Sequence, residues 1–176
     1  NINIIKHINM KRLFFFLVLT LSIVGQAAAQ DVANEIIKLS KAIVDDQKQD
    51  LQTRRIAYFK VNVVNYMKMK VRDEVLRDTN DVKGFNDKIK MLNEQSYAMY
   101  QFVNLFVKRL SESTKNEAKE VVMTRFRNAS INNPLFNDMD LDLVLSYYNN
   151  PEYLTRFSLD TDWVKALDEV RSKKWD

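Results

Sequence analysis

The chain has 176 residues, with 27 Lys+Arg against 23 Asp+Glu, two glycines, two prolines, no cysteine and a single histidine, His7. Thiol catalysis and Cys-ligated zinc are excluded, and beyond His7 so are histidine triads, His-ligated metals and imidazole acid–base catalysis. The net charge of +4 would suit a nucleic-acid binder only if the surplus belonged to the folded part of the chain, and most of it does not.

Residues 1–9 precede a natural-looking start at Met10 and are read as an upstream extension outside the fold. From Met10, "MKRLFFFLVLTLSIVGQAAAQ" has the three parts of a secretory signal peptide. Lys11 and Arg12 form the positive region, and Leu13 to Val24 is a mostly apolar run. Ala27 and Ala29 are the small residues of a cleavage site before Gln30. Residues 10–29 are therefore expected to be removed. The run is twelve residues, short of the ~20 a membrane-spanning helix needs. No cysteine is present to carry a lipid, so no stable membrane anchor is expected after cleavage. The product, residues 30–176, is expected to be a single periplasmic or secreted domain. Cleavage removes Lys6, Lys11 and Arg12 and no acid, which leaves 24 bases and 23 acids and no case for nucleic acid.

The mature chain keeps one glycine, Gly84, and two prolines, Pro134 and Pro151. So few breakers favour long helices over a turn-rich β fold. Asp31 to Gln47 carries Val32, Ile36, Leu39, Ile43 and Val44 at helical spacing. In Leu51 to Leu76, the set Ala57, Val61, Val64, Met67, Val71 and Val75 is helical, while Phe59, Val61 and Val63 alternate like a strand. Some 25 residues without a breaker are too many for a typical strand of about 5–6, so a helix is expected. Asp50–Arg54 and Asp73–Arg77 are i,i+4 pairs that support it. Nothing between Val44 and Leu51 compels a break, so one element or two remain open.

"RDTNDVKG" turns the chain into the clearest helix, Phe85 to Leu110, starting at Asn86 or near Gly84. Phe85, Ile89, Leu92, Ser96, Met99, Val103, Phe106 and Leu110 are spaced alternately four and three apart, a continuous core seam. A helix over Thr114 to Ala129 places Ala118, Val121, Val122 and Phe126 inward. "SINNPLFN" is loop, followed by a short helix that ends near Pro151. The last helix runs from Asp160 or Thr161 to Lys173, burying Trp163, Leu167 and Val170, with Glu169 and Lys173 paired outside. The expected fold is all-α: an antiparallel helical bundle of three or four longer helices closed by two short C-terminal ones.

Six acids and one base, Arg156, lie between Asp138 and Asp162. Asp138, Asp140 and Asp142 alternate as the ligands of a calcium loop do. Counted from Asp138, however, Leu143 stands where the loop's glycine belongs and Asn149 where its last carboxylate belongs. A helix start fits better, with Asp140 as N-cap, Asp142 in the first turn, and Met139 and Val144 as a hydrophobic staple. "FSLDTDW" repeats the pattern: Asp160 or Thr161 caps and Asp162 enriches the first turn. If the two helix starts adjoin, Asp138, Asp140, Asp142, Asp160 and Asp162 with Tyr147 form one acidic, tyrosine-rich binding patch. Tyr147, Tyr148, Tyr153 and Phe157 suit the wet edge of a core as well as a binding surface. The basic run Lys68, Lys70, Arg72 and Arg77 reads as a solvated face. "NAS" at Asn128 fits a glycosylation sequon, which means little if the source is bacterial.

Three stretches, "RRIAYFKVNVVNYMKMKV", "LNEQSYAMYQFVNLFV" and "NPLFNDMD…YLTRFSLDTDWVKAL", together with the signal, resemble small exported helical proteins of Bacteroidetes. The resemblance implies an envelope or secreted location and no particular activity. The reading is of a non-enzymatic interaction or accessory module, with no catalytic, metal or cofactor site and an unidentified protein partner in the envelope or outside the cell. Its alternative is a ligand- or metal-binding protein using the acidic, Tyr-rich segment 138–162.

Overall fold

The computed structural model describes residues 31–77, 80–147, 150 and 152–172. The cleavage positions Ala27, Ala29 and Gln30 lie outside them, as do Tyr148, Pro151 and Lys173.

Among the described residues six helices follow in order: α1 (Val32–Asp45), α2 (Leu51–Val75), α3 (Val82–Glu112), α4 (Asn116–Ile131), α5 (Leu141–Val144) and α6 (Trp163–Ser172). Among the described residues there is no strand. Cross-links between side chains give the directions. Arg54 donates to the Val44 carbonyl and Lys68 to Asn34, so α1 and α2 are antiparallel. Lys60 reaches Asn104 while Lys88 reaches Glu74, which makes α2 and α3 antiparallel as well. α4 folds back along α3 after three residues and packs on it through Phe126. α6 departs from strict alternation. Gln95 bonds to Trp163 and Gln101 to Arg171, so α6 runs in the same direction as α3, against which it packs together with α4.

α1 and α2 are two elements. Asp46 accepts from the Lys48 N–H and the Gln49 amide in a local turn that competes with the helix. Asp50 then caps α2, accepting from the Thr53 N–H and hydroxyl. With Asp50 so occupied, Arg54 turns back to Val44 and Gln47 rather than forming the expected i,i+4 pair. α3 begins earlier than its apolar seam suggested, because Asp81 caps it through the Gly84 N–H. Glycine belongs there: a Cβ would stand 1.9 Å from the capping carboxylate.

The middle of α2 is buried nearly all round, with Ala57, Phe59, Val61, Val63, Val64, Tyr66 and Met67 enclosed. This explains why its sequence imitates a strand: a helix covered on several sides has no polar face to set its period. The seam of α3 holds from Leu92 to Phe106, but Phe85 and Ile89 are exposed. α1 starts at the level of Lys68 and Asn93, so nothing from α1 reaches the first turns of α3. In α4, Val122 and Phe126 point inward as expected, whereas Ala118 and Val121 are exposed.

The core centres on edge-to-face rings. Phe102 lies 4.9 Å from Phe126, 5.3 Å from Phe157 and 5.4 Å from Trp163, and Phe106 lies 5.0 Å from Phe157. Phe157 comes from no helix. It belongs to an irregular strap whose residues 157–162 are all buried. A buried loop is stable only if its backbone groups find partners, and several of this one's are seen to. Ser158 N–H donates to Ser130 Oγ, Leu159 N–H to the Val144 carbonyl, and Asp162 N–H to the Asn133 carbonyl.

Candidate functional site

The strap decides what the carboxylates do. Asp160, 3% exposed, receives three backbone N–H groups: Leu135 (3.1 Å) and Phe136 (2.8 Å) on Oδ1, Asp138 (2.8 Å) on Oδ2. It therefore pins the 135–138 loop to the strap instead of capping the last helix. Asn137 makes the loop's bend with φ of 53°, a left-handed conformation that asparagine tolerates better than most residues.

Asp138 faces the other way. Its Oδ2 accepts from Lys70 Nζ at 2.6 Å and from the Tyr66 hydroxyl at 3.0 Å, and its Oδ1 from the Asp140 N–H. The Lys70 hydrogen bond holds the Asp138 carboxyl below its usual pKa. Burial raises the Tyr66 phenol well above its ordinary value, helped by the charges of Asp160 and Asp138. Lys70 is thus a partner of this site rather than a member of a solvated basic face.

Asp140 caps α5 through the Leu143 N–H, as its position suggested. The staple does not form. Val144 is buried, but Met139 is 89% exposed, because α5 ends after a single turn and Val144 turns under the strap. Asp142 is exposed. Asp162, rather than Asp160 or Thr161, caps α6, accepting from the Lys165 N–H, and it also takes the Gln95 amide at 2.9 Å. Burial opposes its charge, but the bonds from Gln95 and Lys165 prevail and hold its pKa below the ordinary value. Thr161 is spent on Ser130 and on the Ser158 carbonyl.

The two acidic starts are therefore joined at one point only, where the Asp138 N–H meets Asp160. Asp140 follows from Asp138, while Asp162 is directed to Gln95 on α3. Tyr147 bonds to Asn62, packs 5.4 Å from Phe59 and 5.2 Å from Tyr153, and is pushed up to about 12 by burial. Arg55 stacks 5.5 Å from the Tyr153 ring. Among the described residues no three His, Cys, Asp or Glu side chains converge as metal ligands, and no helix is long and apolar enough to cross a membrane.

Two other features stand apart from these acids. At the turn end of the α3–α4 hairpin, a cleft of about 240 Å³ is lined by Arg109, Glu112, Ser113, Ala118, Val121, Val122 and Arg125. Between α2 and α3, Lys60 is 6% exposed. Its Nζ donates to Asn104 Oδ1 at 2.7 Å and sits 4.6 Å from the Tyr100 ring centroid. The sequence did carry a sign of this: Lys60 extends the spacing of Val64, Met67 and Val71 backward by one core position.

Compared with protein-family models, curated proteins and solved structures, the chain matches none of them.

Proposed function

We propose that the protein is exported, is cleaved before Gln30, and acts in the periplasm or outside the cell as a non-enzymatic interaction module. Export rests on the three-part pattern of residues 10–29. The observation that carries the interaction reading is the ridge at α5, where Met139 (89%), Leu141 (60%) and Leu143 (38%) are exposed beside Asp140 and Asp142. Large apolar side chains held outward by a capped turn cost solvation in the free protein and suit a partner's apolar surface. Acids between them favour a partner with basic groups at its rim.

The alternative, a metal or small ligand held by segment 138–162, has weaker support. Both Asp160 oxygens already accept backbone N–H groups, and Asp138 is held by Lys70.

Expression of the full chain in a Gram-negative host, followed by N-terminal sequencing, tests export; the expected first residue is Gln30. The processed protein and its Leu141→Asp variant, matched in thermal stability, are then used to capture partners from envelope extract. A protein retained by the first and lost by the second is expected. Identical retention by both, or retention only of a small molecule in native mass spectrometry, would overturn the reading.

A further inference from the structure

We propose that Lys60 and Asn104 form an intramolecular isopeptide bond that staples α2 to α3. Three observations about the same spot lead there. The Lys60 amine is enclosed, its Nζ is 2.7 Å from Asn104 Oδ1, and among the described residues no carboxylate pairs with it. Tyr100, one turn before Asn104 on α3, lies under the amine, its ring centroid 4.6 Å away.

A buried lysine without a counter-charge favours its neutral form, and burial pulls this one down to about 7. The neutral amine is a nucleophile, and desolvation is one of the ways proteins activate lysine. The Asn104 carbonyl carbon is one bond from the oxygen that Lys60 touches.

The Nζ lone pair attacks Asn104 Cγ, and the carbonyl electrons move to Oδ1. The Tyr100 hydroxyl shares a hydrogen bond with the Asn104 side chain and holds that amide in place. The amine proton passes to the amide nitrogen, the Cγ–Nδ2 bond breaks, and ammonia leaves. One amide replaces another, so the step needs no oxidant, reductant or co-reactant. The link closes the chain between residues 60 and 104 and gives a cysteine-free chain the kind of cross-link that disulfides supply elsewhere.

The test is mass spectrometry of the purified, folded full-length protein, held at about pH 9, where a buried lysine amine is neutral. The expected result is loss of one ammonia, located by tryptic mapping to a branched peptide joining Lys60 to Asn104, with cleavage after Lys60 blocked. Mapping matters because a chain beginning at Gln30 also loses ammonia when that glutamine cyclises. Asn104→Ala and Lys60→Arg are expected to abolish the branched peptide. An unbranched Lys60 peptide after prolonged incubation of the folded protein overturns the proposal, as does a branch at Lys60 that persists in Asn104→Ala.

Discussion

The two ends of the α2–α3 pair are finished differently. At one end the irregular strap inserts Phe157 between Phe59, Phe102 and Phe106, and its own polar groups are satisfied from α4, α5 and the 133–138 loop. At the other, α2 and α3 run past the start of α1 and leave Leu76, Val82, Phe85 and Ile89 in water. Both ends carry apolar residues at core spacing. The difference is whether a third element arrives to cover them, which teaches that a seam records the capacity to be buried rather than burial itself.

If this contrast is right, substitutions should fall in a steep order from the strap to the tip. Phe157→Ala empties the centre of the ring cluster and should destabilise by about 4 kcal/mol in urea unfolding. The buried lysine comes next. Asn104→Ala keeps Lys60 a free amine, and burial holds a lysine at this position below the ~10.4 of an unfolded one. Between the folded and unfolded values the unfolded chain binds the extra proton, so stability should rise with pH across that window, by at most about 1.4 kcal/mol per pH unit. Below the folded pKa the full cost of charging the amine is present. The rise should vanish when Lys60→Met is added, and its survival there would remove Lys60 as the cause.

Asp160→Asn turns one acceptor of the three-amide cradle into a donor, and a loss of about 2 kcal/mol is expected. Hydrogen exchange at Leu135, Phe136 and Asp138 should accelerate ahead of the core amides. Asp138→Asn weakens only the Lys70 and Tyr66 contacts and should cost about 1 kcal/mol near neutral pH. The wild-type carboxyl has a depressed pKa. Its contribution is present above the unfolded value and fades as pH falls through the folded one, so the two proteins should converge in acid. Phe85→Ser at the tip should change stability by less than about 0.5 kcal/mol. A loss comparable to that of Phe157→Ala would mean the tip is covered after all and would erase the comparison.

Much of the bundle could be read along the chain because helix period and capping are local. The α3 seam, the Asp140 cap and the inward set Trp163, Leu167 and Val170 depend only on neighbours a few residues apart. Asp50 and Asp81 were equally legible as caps, each followed three residues on by the N–H it accepts. The candidate site was less legible. An aspartate before a helix is a cap by default, and Asp160 loses that role only because residues 135–138 present three amides to it. Asp162 takes the cap one residue before Trp163 because that ring must enter the core.

By itself, then, the sequence determined an all-helical chain, the approximate extent of its longer helices, and the absence of thiol and imidazole chemistry beyond His7. Those follow from residue type and short-range spacing. Only the tertiary structure decided that Asp138 meets Lys70, that Asp160 holds a loop, that α6 runs parallel to α3, and that Lys60 is enclosed against Asn104. Each of these joins residues at least 22 positions apart, and no periodicity reaches that far. The hold of Asp160 on its loop depends on the strap being buried, which is favourable only when the N–H groups carried inside find acceptors.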